Sequence, residues 1–436
     1  ALPILNILAH PPRTRNIAVI GAGISGMGAA YALAQNHNVT LYESEARLGG
    51  HARTITAGRN GDQPVDTGFI VFNYANYPNM AKLFDALDVP VCKSNMSFGA
   101  SLKGGQVEYA LASLGAIFAQ KKNLLNPKFL RMTADILRFN ARGLKTANDT
   151  SMTVRELLVK LGTGDWFRDY YLLPLSGAIW STPVEQILDF PAYALMTFFE
   201  NHALLSHSGQ HQWYTVKGGS VEYVRRLQAA LGQRGVDIRL NSAVMGVKRN
   251  PVGASVQTAG APPAFYDEVI FATHSDDSLQ LLEDATEFER AQLSAIQYQP
   301  NDIILHADSS VMPHNKRCWS SWVYTEAADK TSQRIDLTYW MNSLQPIPHD
   351  DPHFVTLNTT RPIKQELIYD QATFRHPVYD LPALHAQKNI AEKNGEHHTW
   401  FCGAWMKNGF HEDGLLSALD VASAFEAQTA LSVAAE

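Results

Sequence analysis

The run Ile17-Ala18-Val19-Ile20-Gly21-Ala22-Gly23-Ile24-Ser25-Gly26 decides the fold class. Four apolar residues of strand type lead into a GxGxxG turn, and an Ala/Leu-rich helical pattern follows from Met27 to Ala34. A polar turn, Gln35-Asn36-His37-Asn38, gives way to a second apolar run, Val39-Thr40-Leu41-Tyr42, closed by Glu43, 17 residues beyond Gly26. The order is strand, phosphate loop, helix, strand and ribose-binding carboxylate. Gly21 permits the tight turn, Gly23 lets the backbone approach a pyrophosphate, and Gly26 lets the helix pack closely on the sheet. The helix N-terminus at Ser25 then faces the anion. Glu43 accepts from ribose hydroxyls and repels a 2′-phosphate, which favours an adenine dinucleotide without that phosphate.

The next segments separate a nicotinamide from a flavin. Arg47-Leu48-Gly49-Gly50-His51-Ala52-Arg53-Thr54 is followed by Val65-Asp66-Thr67-Gly68-Phe69-Ile70. Here the chain resembles the flavin-containing amine oxidase and phytoene desaturase superfamily, in which an acid, an Arg, a Gly-Gly pair and a later Asp/Glu-x-Gly follow the first phosphate loop. Asn241-Ser242-Ala243-Val244 stands where relatives bring a Val backbone to the adenine. Trp400-Phe401-Cys402-Gly403-Ala404 and Glu412-Asp413-Gly414-Leu415-Leu416-Ser417-Ala418 resemble the closing flavin motif, a strand, a loop and a helix N-terminus.

The resemblance spans residues 17 to about 425 and implies FAD as cofactor. It implies that Arg47, Gly49, Gly50, His51, Gly68, Phe69, Val244, Gly403, Glu412, Asp413, Gly414 and Leu415 join Gly21, Gly23, Ser25, Gly26 and Glu43 in holding it. Asp66-Thr67-Gly68-Phe69-Ile70-Val71-Phe72-Asn73 and Gly409-Phe410-His411-Glu412-Asp413-Gly414 are similar to FAD-binding proteins associated with cyclopropane and other modified fatty acids. Two positions depart from the superfamily. Ala404 replaces the acid that usually binds the ribityl chain, leaving Glu412 or Asp413 for that contact. His51 stands where Arg usually follows Gly-Gly, leaving Arg53 to supply the charge.

At 436 residues, 45% hydrophobic and 18% charged, the chain is large enough for two domains with good cores. Its net charge of −6 argues against general nucleic-acid binding. Cys92, Cys318 and Cys402 are widely spaced with no CxxC, which fits a reducing compartment and gives neither a disulfide framework nor a cysteine metal site. No metal site is expected: His207 and His211 have i, i+4 spacing but lie beside Gly209, with no carboxylate nearby. No apolar run reaches about 18 residues, so no span crosses a membrane. Ala1 to Arg15 reads as an extension rather than a signal. The expected location is the cytoplasm, with a peripheral position on the inner membrane face as the alternative.

The flavin motifs are dispersed, so the expected α/β fold has a discontinuous FAD-binding Rossmann-like domain of glutathione-reductase type at 14–75, 210–275 and 395–436. A substrate domain of mixed sheet plus helices takes 76–209 and 276–394. The first insert reads as helical over Pro78–Leu87, Leu111–Phe118, Pro127–Leu144 and Val154–Leu161. The second mixes helix (Glu287–Ile296) with strands (Asp302–His306, Ser320–Tyr324, Ile335–Met341).

The stretch 121–145 holds seven basic residues and one acid, a local charge of +6. At about 100° per residue, Arg131, Arg138, Arg142 and Lys145 share one face, while Phe129, Leu130, Ile136, Leu137 and Leu144 share the other. Such a helix either rests on anionic lipid or packs its apolar face on its own domain.

FAD carries the hard step, so the protein needs only to place a substrate and exclude water. No second GxGxxG follows a strand, so no NAD(P)H domain is evident. Electrons are expected to leave to oxygen, a quinone or another carrier, or to return to the substrate. The resemblance puts Trp405, Phe410, His411, Tyr339, Trp340 and Trp180 near the flavin ring. His411 is the candidate proton carrier, or else a cap of its own loop, with Tyr339 and Trp180 as the further catalytic candidates and Trp180 also readable as core or pocket wall. The leading expectation is an FAD-dependent oxidoreductase acting on a fatty-acyl or lipid substrate by desaturation or double-bond migration. An FAD-dependent amine oxidase and a non-enzymatic flavin-binding partner in a lipid-modifying complex are the alternatives.

Overall fold

A computed structural model describes residues 14–181, 184–202, 204–205, 211–329 and 335–435. Most of the N-terminal extension, and His207, lie outside the described residues. The chain divides into two compact units, one from Ala1–Gly50, Arg225–Ser294 and Gln387–Glu436, the other from His51–Val224 and Ala295–Ala386.

The first unit is built on a five-stranded parallel sheet in the order Asp237–Arg239, Asn38–Tyr42, Asn16–Ile20, Glu268–Phe271, Thr399–Phe401. Parallel strands covered on both faces read as continuous apolar runs, which is why Ile17-Ala18-Val19-Ile20 and Val269-Ile270-Phe271 are buried without alternation. The first helix, Ile24–Leu33, is apolar nearly all round and is correspondingly buried along most of its length. It packs on the closing helix, His411–Ala435, so closely that a Cβ on Gly28 would lie 2.6 Å from Leu415 Cδ1. An antiparallel meander, Val244–Asn250, Gly253–Thr258 and Ala264–Tyr266, is tied to the helix Glu287–Ser294 by Arg249. Its guanidinium donates to Glu289 Oε2 at 2.9 Å and to Asp284 Oδ1 at 3.1 Å.

The second unit carries a seven-stranded mixed sheet in the order Ile368–Pro377, Tyr298–His306, Phe354–Leu357, Asp336–Trp340, Trp322–Thr325, Phe98–Leu102, Val107–Ala110. Its pairings are antiparallel except that of Trp322–Thr325 with Phe98–Leu102. The first insert is therefore not all helical. Phe98–Leu102 pairs on one side with Val107–Ala110 and on the other with a strand more than two hundred residues away, and the helix expected at Leu111–Phe118 shrinks to Leu114–Ile117. Segments 51–75 and 210–224, expected with the flavin domain, fall in the second unit. Val71–Phe72 and Val91–Ser94 both pair with Trp213–Val216 there. Segment 276–294, expected with the substrate domain, falls in the first unit.

The helix Pro127–Thr146 starts at Asn126, whose side chain accepts from the amides of Lys128 and Phe129. Its packed face is Phe129, Met132, Asp135, Phe139 and Gly143. Leu130 and Leu137, expected to share that face with Phe129, instead point outward.

Candidate active site

In the first unit the phosphate loop is braced by backbone. Gly21, at φ +97°, donates from its amide to Tyr42 O at 2.8 Å, and a Cβ on Gly26 would fall 1.8 Å from Gly21 O. These two glycines are required by the fold itself. Gly23 differs, because a Cβ there would meet no protein atom within 4 Å. It is the N-cap of the first helix and no side chain caps that end, so the first-turn amides at Ile24 and Ser25 lack the partner a Ser or Asp would give. Backbone facing open space over an uncapped helix start is a cradle shaped for an anion. Arg47–Gly50 closes one side: Gly49 donates to Ala22 O at 2.8 Å, and Gly50, at φ +55°, has its Cβ position 3.1 Å from Gly23 Cα.

Glu43 lies at the end of the second strand. Its Oε2 accepts from the Ala22 amide at 2.9 Å, and its Oε1 from Ser44 Oγ at 3.1 Å and the Glu45 amide at 2.9 Å. The carboxylate is thus oriented by the loop it serves and keeps lone pairs for hydroxyl donors. Arg47 Nε pairs with Glu45 at 3.1 Å. The amides of Asn241 and Ser242 donate to Glu45 O and Glu43 O, which brings the segment leading to Val244 beside the same carboxylate.

The closing motif meets the loop from the other side. A Cβ on Gly414 would lie 2.9 Å from Ile24 Cγ2 and 3.0 Å from Ser25 Oγ, so a side chain there would force both neighbours to shift. Gly403 donates to Ser417 Oγ at 2.9 Å, and Leu415 is buried against Gly28. Asp413 Oδ2 accepts from the Phe410 amide at 2.9 Å, and burial pushes its carboxyl up to about 6. Its acceptor capacity is directed at its own loop, while Glu412, also buried, lies in the helix's first turn. His411 is half-buried at the first residue of that helix. Trp405 donates from Nε1 to Thr273 O at 3.0 Å, tying the closing loop to the Ala272-Thr273 turn.

In the second unit, Phe69 donates to His51 O at 3.0 Å, so Gly68 and Phe69 lie on the segment that continues the Gly-Gly pair. Asp66, fully buried, gathers Thr54 Oγ1 at 2.6 Å, Ser220 Oγ and N at 2.8 Å each, and Gln345 Nε2 at 3.1 Å. Burial lifts its carboxyl to about 6 in spite of these donors. Arg53 forms a two-point pair with Asp370 at 2.6 and 3.1 Å and reaches Thr67 Oγ1 at 3.2 Å. Its charge is met by Asp370 within the second unit.

Trp180, at the end of the helix Leu173–Trp180, packs on Phe190, Phe198 and Phe199 with ring centroids 4.8 to 6.5 Å apart, an aromatic wall. Ser181 follows at φ +51° and hydrogen-bonds Tyr339, whose hydroxyl is pushed up to about 12 by burial. Three residues that the sequence did not single out complete this cluster. Asn301 Nδ2 donates to Ser181 O at 3.0 Å and to His376 Nδ1 at 2.9 Å, while Asn358 Nδ2 fills Asn301 Oδ1 at 2.7 Å. His376 lies 5.6 Å from His51 between ring centroids, and burial with that neighbour depresses its imidazole to about 3. His376 sits on the unforeseen edge strand Ile368–Pro377, and nothing in its local pattern marks it. Among the described residues, His274, Asp276 and Asp277 also converge to within 4.8 Å at the part-exposed start of the helix Ser275–Leu281.

The family described as flavin containing amine oxidoreductase matches residues 24–417. The chain belongs to that family. This flavin-containing amine oxidoreductase is similar in fold to the CLA-producing fatty acid isomerase from P. acnes, at 15% identity and TM-score 0.68 over 94% of this chain and 98% of that one. It is also similar to cyclohexylamine oxidase from Brevibacterium oxydans IH-35A, at 14% identity and TM-score 0.66 over 95% and 99%. A third likeness is to putrescine oxidase bound to putrescine, at 16% identity and TM-score 0.63 over 97% and 100%. No curated protein matches its sequence significantly. The open space over Gly23, the uncapped first helix and the oriented Glu43 fit FAD, which is its cofactor, and the family member is an FAD-dependent oxidoreductase.

Proposed function

We propose that this flavoenzyme acts on a fatty-acyl or lipid substrate, by desaturation or by migration of a double bond. The observation that carries the reading is the character of the polar cluster beside Trp180. Asn301, Ser181, Tyr339 and His376 are neutral groups, and no carboxylate stands among them. A cationic amine entering such a cluster would lose water and gain no countercharge. A hydrocarbon chain against the aromatic wall, with a neutral acyl carbonyl taking a neutral donor, meets no such cost. His376 has its Nδ1 occupied by Asn301, so its proton resides on Nε2, which makes the imidazole a donor. A fatty acid isomerase among the proteins of like fold supports the same reading.

When bound, the flavin supplies a two-electron acceptor for hydride, which is either passed on or returned to the substrate. The protein's part is then to place the chain, exclude water and hold protons in place. Trp180 and its phenylalanines provide the apolar wall, and Tyr339 and Ser181 fix its rim.

The test is anaerobic mixing of the FAD-loaded protein with unsaturated fatty acids, phospholipids and a panel of primary amines and polyamines. Lipid-dependent bleaching of the flavin, or recovery of lipid with a new or shifted double bond, is expected. Peroxide formation in air with amines, with every lipid recovered unchanged, would replace this reading by amine oxidation.

A further inference from the structure

The helix Pro127–Thr146 has two apolar sides. Its inner side packs Phe129 against Tyr109 and Phe118, Phe139 against Phe167 and Phe199, and Gly143 against Met196. At about 100° per residue, Leu130, Ala134, Leu137 and Ala141 form a stripe on the opposite side, and all four are exposed, Leu137 at 56%. The preceding turn, Lys121–Leu125, adds Leu124 and Leu125, the latter 88% exposed. Lone surface leucines are ordinary, but four on one helix and its lead-in turn form a patch that solvent alone does not explain.

The charge around this patch has one sign. Lys121, Lys122, Lys128, Arg131, Arg138, Arg142 and Lys145 are all exposed, and the acid of the stretch, Asp135, is buried and paired with Arg138 at 3.1 Å and Arg131 at 3.8 Å. The basic row runs along the flank between the packed side and the leucine stripe. Leucines projecting outward beyond a row of cations match the layering of a bilayer with anionic headgroups over hydrocarbon. A second copy docked here about a twofold axis would face cations with cations, which the same row disfavours.

We infer that the segment 121–145 docks on an anionic lipid surface, with Leu124, Leu125, Leu130 and Leu137 entering the headgroup boundary and the basic row binding lipid phosphates. The inference stands on this surface alone and holds whichever substrate the flavin oxidises.

The experiment is flotation of the full FAD-loaded protein with vesicles of phosphatidylcholine alone and of phosphatidylcholine mixed with phosphatidylglycerol. Binding to the mixed vesicles only, reduced by salt, is expected. Lys121→Gln with Lys122→Gln should weaken it about 30-fold, from roughly 1 kcal/mol per basic residue. Leu125→Asp with Leu137→Asp should abolish it while circular dichroism and flavin content stay unchanged. Equal binding to both vesicles, binding to neither, or a dimer in sedimentation velocity that Leu137→Asp converts to monomer would each overturn the inference. An acidic protein captured by this face while mixed vesicles are left unbound would do so as well.

Discussion

Asn301 donates from Nδ2 to His376 Nδ1 at 2.9 Å, and its own amide cannot turn over because Asn358 donates to Asn301 Oδ1 at 2.7 Å. The imidazole therefore has one tautomer, with Nε2 protonated, and a second proton would set N–H against N–H. This agrees with a His376 held at about 3 by burial and by His51.

Asn301→Asp replaces the opposing donor by a carboxylate. The His376 midpoint should rise by about 2 units or more, since a nearby opposite charge favours the protonated ring. Proton NMR titration of the imidazole C–H signals reads it. The sign for stability follows: a folded-state value below the ordinary 6.5 means that the unfolded chain binds more protons, so this group lowers stability as pH falls from about 6.5 toward 3. Denaturant unfolding across that range should show a shallower acid loss in Asn301→Asp.

Gly23→Ala and Gly26→Ala should part company. The Gly26 Cβ would strike Gly21 O, so that variant is expected not to fold or to lose several kcal/mol. The Gly23 Cβ meets no protein atom, so its apoprotein should unfold within about 1 kcal/mol of the parent while FAD affinity drops sharply. Thermal unfolding of apoprotein together with flavin-fluorescence titration distinguishes the two.

Glu43→Gln keeps the shape of the side chain and removes its charge. Loss of one charged hydrogen bond to ribose should weaken FAD binding by about tenfold or more, consistent with roughly 1.5–3 kcal/mol for such bonds. Equilibrium dialysis against FAD measures it, and unchanged retention would remove Glu43 from the cofactor site.

Asp66→Asn should destabilise the second unit by about 1–3 kcal/mol, because an amide NH₂ must then face Ser220 N or Gln345 Nε2, both donors. The parent carboxyl has a folded-state value of about 6, above its unfolded 3.8, so the parent loses stability as pH rises from about 4 to 6. The gap between parent and variant should be wider at pH 5 than at pH 8, as urea unfolding at the two values would show.

What could be read from the residues was what is local. The phosphate loop is legible because strand, glycines, helix and acid follow one another within one unit of structure. The helix Val154–Leu161 announces itself through the Thr153–Glu156 capping box and Gly162. Phe98–Leu102 has a local hairpin partner in Val107–Ala110, but that its other edge lies along Trp322–Thr325 was not legible, since that strand is more than two hundred residues away. Leu137 shows a subtler gap. Helical periodicity gives the angle between Leu137 and Phe139, but only the placement of Phe167, Phe199 and Met196 decides which of the two turns inward. His376 became visible only once Asn301 and Ser181 were brought to it.

The closing helix reaches back to the start of the chain: Asn36 donates to Glu426 across 390 residues, and Gly414 rests on Ile24 and Ser25. During synthesis the glycine-rich turn emerges well before the residues that complete its surroundings. Acquisition of the yellow prosthetic group thus waits for the closing helix, so that a ribosome-stalled or prematurely terminated polypeptide lacking it would stay colourless. Pigmentation therefore reports translation through that helix.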